Sequence, residues 1–222
     1  LFGAVNKVTS TTELQEKNQL AKLKIYCLVL QHDKMSKDYL LGKTYQEEMD
    51  FLVSNELRNK YIRNLCLSLE GNSLCLFQYV EKHGMILKQM ILDKNRDKQI
   101  FFVYGGVVAK ERETIREITE QSDNAIIVAS YGTFSTGINI RNLHNIVFAS
   151  PSKSRIRNLQ SIGRGLRLKD NDSAATLYDI SDDLSVGENE NYTLSHFRER
   201  INIYGEEMFD YEIHNVELRN GS

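Results

Sequence analysis

The stretch Ala125-Ile126-Ile127-Val128-Ala129-Ser130-Tyr131-Gly132-Thr133-Phe134-Ser135-Thr136-Gly137-Ile138-Asn139-Ile140, followed by Asn145-Ile146-Val147-Phe148-Ala149-Ser150-Pro151, decides the fold. Two continuously apolar runs flank a loop of small and hydroxyl residues. Short apolar runs without polar alternation predict strands buried on both faces, the condition of a covered parallel sheet. The next segment, Ser154 to Leu166, reads as a helix. It leads into Gln160-Ser161-Ile162-Gly163-Arg164-Gly165-Leu166-Arg167. Arginines three apart on a helix project from one face. Each guanidinium is a permanent, planar, multi-donor cation suited to phosphate oxygens. Gly163 leaves room beside Arg164 for a close approach of backbone or ligand.

Working outward, the same pattern repeats. Leu74 to Phe77, Gln99 to Tyr104 and Ala174 to Ile180 read as further strands. Glu81 to Leu92 and Ala109 to Gln121 read as the helices between them. Leu23 to Leu30 predicts an earlier strand. From Tyr45 to Leu69 the apolar positions fall at helical spacing, predicting one long amphipathic helix or two shorter ones, broken by Gly71-Asn72. Leu194 to Tyr204 reads as a C-terminal helix. The expectation is an α/β domain with a parallel sheet and helices on both faces, its sites at the carboxyl ends of strands.

Composition sets the bounds. A chain of 222 residues, 41% hydrophobic and 26% charged, suffices for one core domain plus appendages. The net charge of −2 is no global signature of nucleic-acid binding, so such binding must come from local basic patches. No run approaches the roughly 18 apolar residues of a membrane span. The start Leu-Phe-Gly lacks a basic n-region and is read as an internal cut rather than a signal peptide. Cys27, Cys66 and Cys75 are separated and embedded in apolar runs. They read as small core hydrophobes in a reducing, cytoplasmic setting. No paired spacing predicts a metal site, and the five histidines read as surface or satisfied residues.

Two motif-like stretches are set aside. Gly42-Lys43-Thr44 ends like a phosphate-binding P-loop, but Lys37 stands where the pattern needs glycine, and Gln31 to Asp38 is not an apolar strand. Asp182-Asp183 mimics a metal-binding acidic pair; a helix-capping or loop role is expected instead.

In their order and spacing, the small-residue loop and the Gln-x-x-Gly-Arg-x-x-Arg helix resemble motifs V and VI of superfamily 2 helicases and translocases. The resemblance covers Asn72 to Ile180. It implies the second, C-terminal RecA-like domain of a two-domain motor, an α/β domain without its own P-loop and with helical N- and C-terminal additions. The implied division is 1–70 for the connection from the first motor domain plus a helical segment, 71–185 for the RecA-like domain and 186–222 for a helical extension.

Site residues follow from that resemblance. Arg164 and Arg167 match the arginine fingers that neutralise charge on the transferred γ-phosphoryl group of ATP. Gln160 matches the position linking the γ-phosphate to the nucleic-acid site, and Gly163 lies with them at the nucleotide. Gly137 and Asn139 match a Gly-x-Asp pattern near the ribose and attacking water. Asn139 keeps an acceptor oxygen but lacks the charge. Ser130 and Thr133 either bond a nucleic-acid phosphate or satisfy loop backbone groups. Gly105 lets the main chain approach phosphate, and Arg112 matches a backbone-gripping arginine or is a solvated helix charge. Gln78 and Tyr79 sit at the functional end of their strand. Lys153, Arg155 and Arg157 extend the basic run as phosphate contacts or as a solvated face.

ATP and Mg2+ are expected to be held mainly by the missing first RecA-like domain, leaving this chain alone inactive. The resemblance is strongest to recombination helicases, which implies branched DNA, single-stranded DNA and RNA–DNA hybrids as partners, and no membrane. The alternative is a non-catalytic nucleic-acid-binding or partner-docking α/β domain.

Overall fold

Continuous apolar runs do become the centre of one parallel sheet. The structure is a computed structural model describing residues 23–135, 142–150 and 175–218. Among the described residues the strands are β1 (Leu23–Gln31), β2 (Ser73–Phe77), β3 (Gln99–Val103), β4 (Ala125–Ser130), β5 (Asn145–Phe148), β6 (Ala175–Asp183) and β7 (Asp210–Glu217). They run in the order β3-β4-β2-β5-β6-β1-β7, and every neighbouring pair is parallel. Strands β2, β4 and β5 are buried along their whole length, as interior parallel strands must be.

Strand side chains alternate between faces, and the core divides accordingly. One face collects Ile25, Cys27, Leu74, Leu76, Ile127, Ala129, Ile146 and Phe148. Helix α5 (Ala109–Gln121) covers it through Ile115, and α7 (Tyr192–Glu206) through Leu194, Phe197 and Tyr204. The other face collects Leu28, Leu30, Cys75, Phe77, Ile126, Val128 and Val147. Helix α3 (Glu56–Ser68) covers this side with Ile62 and Cys66, and α4 (Met85–Lys94) with Leu87 and Ile91. All three cysteines are buried and free, as small core residues.

The region expected as one or two helices is two. Helix α2 (Tyr45–Ser54) ends at Asn55, whose ψ of 114° leaves the helical range. The Asn55 side chain then caps α3 by accepting from the Arg58 backbone N–H at 2.9 Å. Helix α2 also caps α7 from a distance. Buried Glu48 accepts from the backbone N–H groups of Tyr192 (2.9 Å) and Thr193 (2.7 Å), placing a carboxylate at a helix N-terminus.

The sheet reaches past 71–185 in both directions. β1 lies between β6 and β7, so segments on either side of that stretch complete one sheet. The tail expected to be helical adds the edge strand β7 after its helix. Asp210 to Glu217 mixes charged and apolar residues because an edge strand is only half covered. Helix α1 (Lys34–Leu40), capped by Asp33, was also not anticipated.

At the amino edge Asn72 ties the loops together. Its Nδ2 donates to the carbonyls of Thr119, Ser122 and Asn142, and its Oδ1 accepts from Ala125 N–H. Gly71, at φ +74°, packs against His144, where a Cβ would lie 2.7 Å from the ring.

Candidate nucleotide and nucleic-acid interface

Strand register brings four strand ends level at the carboxyl edge. Val103 pairs with Ala129, Phe77 with Ser130, and Leu76 with Phe148. The chain therefore leaves this edge at Tyr104, Tyr131, Gln78 and Ala149. These are the places where sites form on open parallel sheets.

Strand β4 passes directly into the short helix α6 (Tyr131–Ser135). Ser130 Oγ and Thr133 Oγ1 are 2.8 Å apart, and Ser130 Oγ also accepts weakly from the Thr133 backbone N–H at 3.4 Å. Both residues are buried. Their hydroxyls bond each other within the turn.

After β3, Tyr104 to Val107 forms a turn closed by Val107 N–H to the Tyr104 carbonyl at 3.0 Å. Gly105 faces open space, while a side chain on Gly106 would strike the Tyr104 ring. Helix α5 follows with Arg112 in its first turn. Glu113 is taken by Arg116, so it does not neutralise Arg112. Among the described residues nothing accepts from the buried Arg112 Nε.

After β2, a π-turn at Val80–Gly84 leads into α4, with Gly84 N–H donating to the Tyr79 carbonyl at 2.9 Å. Gly84 lies on the Phe77 ring, where a Cβ would approach to 2.5 Å. The turn buries His83, which touches Asn59 Oδ1 through Nε2 (3.1 Å) and Ser150 Oγ through Nδ1 (3.0 Å). Burial, aided by the Arg58 charge, pushes the His83 pKa down to about 3 and keeps the ring neutral.

The acidic pair needs correction. Asp182 and Asp183 close β6 rather than capping a helix or forming a loop. Arg58 Nε donates to both Asp182 oxygens at 2.9 and 3.0 Å, and His32 Nε2 lies 2.9 Å from Oδ1. Burial opposes ionisation of Asp182, but the Arg58 charge and the His32 contact hold its carboxyl below the usual range. Gly42-Lys43-Thr44 is no phosphate loop: Thr44 caps α2 in a capping box with Glu47, and Lys43 pairs with Glu47 at 3.2 Å. Among the described residues no group of His, Cys, Asp or Glu side chains is arranged to hold a metal, and no helix is long and apolar enough to cross a membrane.

The structure thus brings Ser130, Thr133, Gly105 and Arg112 to one edge and the helix beside it. Gln160, Gly163, Arg164, Arg167, Gly137 and Asn139 lie outside the described residues, as do Lys153, Arg155 and Arg157.

The conserved-domain family described as "Helicase conserved C-terminal domain" matches residues 57–169. The chain belongs to this family. This helicase C-terminal domain is 36% identical, over 98% of its length, to the ATP-dependent DNA helicase uvsW of Enterobacteria phage T4, and covers 45% of that protein. The crystal structure of T4 UvsW matches at a TM-score of 0.78 and 34% identity, over 89% of this chain and 42% of that one. The helicase C-terminal domain therefore spans a little under half the length of these relatives. The E. coli DEAD-box protein SrmB matches at 13% identity and a TM-score of 0.54, over 89% of this chain and 95% of that one, which shows a shared fold. The expected superfamily and the RecA-like parallel sheet are borne out.

Sequence reasoning missed Ser150, His83 and Tyr131. His83 had no local signature, since its partners Asn59 and Ser150 stand 24 and 67 residues away.

Proposed function

We propose that this chain is the C-terminal motor half of an ATP-dependent DNA helicase acting on branched recombination and replication intermediates and on RNA–DNA hybrids. In this reading a first RecA-like domain holds ATP and Mg2+. Binding of ATP draws the two domains together and presents Arg164 and Arg167 to the γ-phosphate, with Gln160 beside them. The cation charge then offsets the negative charge that builds on the phosphoryl oxygens. Closure shifts the loops at Gly105, Ser130 and Thr133 against the nucleic-acid backbone, and hydrolysis releases them. Repetition moves the protein along the strand. The setting is the cytoplasm, for a phage-encoded protein that of the infected host.

The observation that carries the reading is identity to a DNA helicase along almost the whole chain, and the level carboxyl edge supplies a surface for it. Arg112, half-buried in the first turn of α5, is one cation that stands beside this edge. Because contact is through the backbone, sequence preference should be slight and affinity should fall with salt.

The test is strand separation by the full-length protein on forked and four-way DNA against linear duplex. The expected result is unwinding of the branched substrates that requires hydrolysable ATP. Tight DNA binding with no ATP-dependent unwinding of any substrate would instead mark a binding module.

A further inference from the structure

Apolar exposure is uneven over this molecule. Five of the eleven large hydrophobics exposed among the described residues, Met35, Tyr39, Leu41, Tyr45 and Tyr192, lie on α1, the turn after it and the first residues of α2 and α7. Single exposed hydrophobics need no explanation; a concentration of them does. Met35 is 78% exposed and Tyr39 63%, and four residues apart on a helix they share one face. Tyr39 meets Phe51 of α2 at 6.2 Å between ring centres, and Lys43 of the turn lies 5.7 Å over the Tyr39 ring. Tyr45 meets Tyr192 edge-on at 6.0 Å. Ring contacts therefore join the three elements, and their exposed groups adjoin.

Beneath this strip is a small core of its own, Leu40, Met49, Leu52, Val53 and Leu184, which ties α1 and α2 to the end of β6. The strip stands at the carboxyl edge. Helix α1 begins three residues beyond the end of β1, and Lys37 reaches Asp183 at the end of β6 at 3.5 Å. Tyr79, just past β2, packs on the same small core. The strip is continuous with the candidate interface.

Its chemistry selects the occupant. A groove that takes a nucleic-acid strand combines aromatic rings with an excess of cations. Here Lys37 is paired with Asp183 and Lys43 with Glu47, and Lys34 has Asp38 one turn along α1. Tyrosine and methionine with little net charge are the composition of a protein–protein contact. On the motor reading, the protein surface that meets this edge is the first RecA-like domain.

We propose that Met35, Tyr39, Leu41, Tyr45 and Tyr192 form an apolar contact on which the first RecA-like domain closes when ATP is bound. The proposal rests on the motor reading above. Burying the strip adds a driving force for closure that is independent of the nucleotide, and opening returns it to water.

The test is hydroxyl-radical footprinting of the full-length protein, with X-ray scattering under the same conditions. The protein is compared free, with saturating single-stranded DNA, with a non-hydrolysable ATP analogue, and with both. The expected result is compaction with the analogue and a severalfold fall in oxidation of Met35, Tyr39 and Tyr192 wherever the analogue is present. Met35→Ser combined with Tyr39→Ser should shift the closed-to-open ratio, read from the scattering, roughly tenfold toward open. Single-stranded DNA affinity without nucleotide and the unfolding temperature should not change. Should the double variant be destabilised, Met35→Ser alone carries the comparison. Compaction that leaves these residues fully reactive overturns the proposal and leaves the motor reading standing. Protection by DNA alone marks a nucleic-acid surface and overturns it equally. If the analogue compacts nothing, the motor reading has failed, and the proposal falls with it.

Discussion

His83 is enclosed between Asn59 and Ser150, and its pKa is pushed down to about 3, first by burial and then by the nearby Arg58 charge. An unfolded histidine titrates near 6.5. Between these values the unfolded chain binds a proton that the native protein refuses. The stability that comes from holding His83 neutral is therefore complete above about pH 6.5 and is lost as pH falls toward 3. Urea unfolding from pH 7 to pH 4 should show this native protein losing up to about 1.4 kcal/mol per pH unit more than His83→Gln. Parallel pH profiles for the two would contradict a neutral, buried His83. At this scale the sequence left His83 as one of five histidines read as surface or satisfied, and the structure makes it a buried, satisfied one. The sequence did not tell which partners satisfy it, because hydrogen bonds across 67 residues leave no spacing pattern.

Strand β6 is held from both faces by buried ion pairs. Asp182 meets Arg58 of α3 on one side, and Asp179 meets Arg200 of α7 at 2.8 Å on the other. Residues three apart on a strand point to opposite faces, so one strand anchors both helical layers. Removing one partner of such a pair strands a charge in the interior. Asp182→Asn should therefore destabilise the protein by roughly 3–5 kcal/mol. The double variant Arg58→Met, Asp182→Leu should recover most of that. A small loss in Asp182→Asn, read from denaturant midpoints, would contradict the pairing. Central elements were legible in the sequence because their environment is uniform: β2, β4 and β5 are buried on both faces and read as unbroken apolar runs. Edge and short elements were not. β7 carries Asp210, Glu212 and His214 among its apolar residues because half of it meets water. Asp182-Asp183 looked like a cap or loop because Arg58, which explains Asp182, is 124 residues away in sequence.

For the whole molecule, the proposed motor makes the carboxyl edge one half of a catalytic surface. The two apolar strands β4 and β5 were readable along the chain. So was the kind of surface they form, because a parallel sheet gathers its strand ends at one edge. How that edge is stitched, through Asn59, His83 and Ser150, emerged only from the folded arrangement. In the proposed function the edge gains a reaction when a nucleotide-loaded domain closes on it and Arg164 and Arg167 meet the γ-phosphate. The measurement that meets this claim most directly is DNA-stimulated ATP hydrolysis by the full-length protein, with and without Arg167→Ala, with ATP and DNA binding measured alongside. The account predicts turnover lower by roughly a thousandfold, with both ligands still bound. Unchanged turnover would contradict it and leave the chain a nucleic-acid-binding domain on a helicase fold.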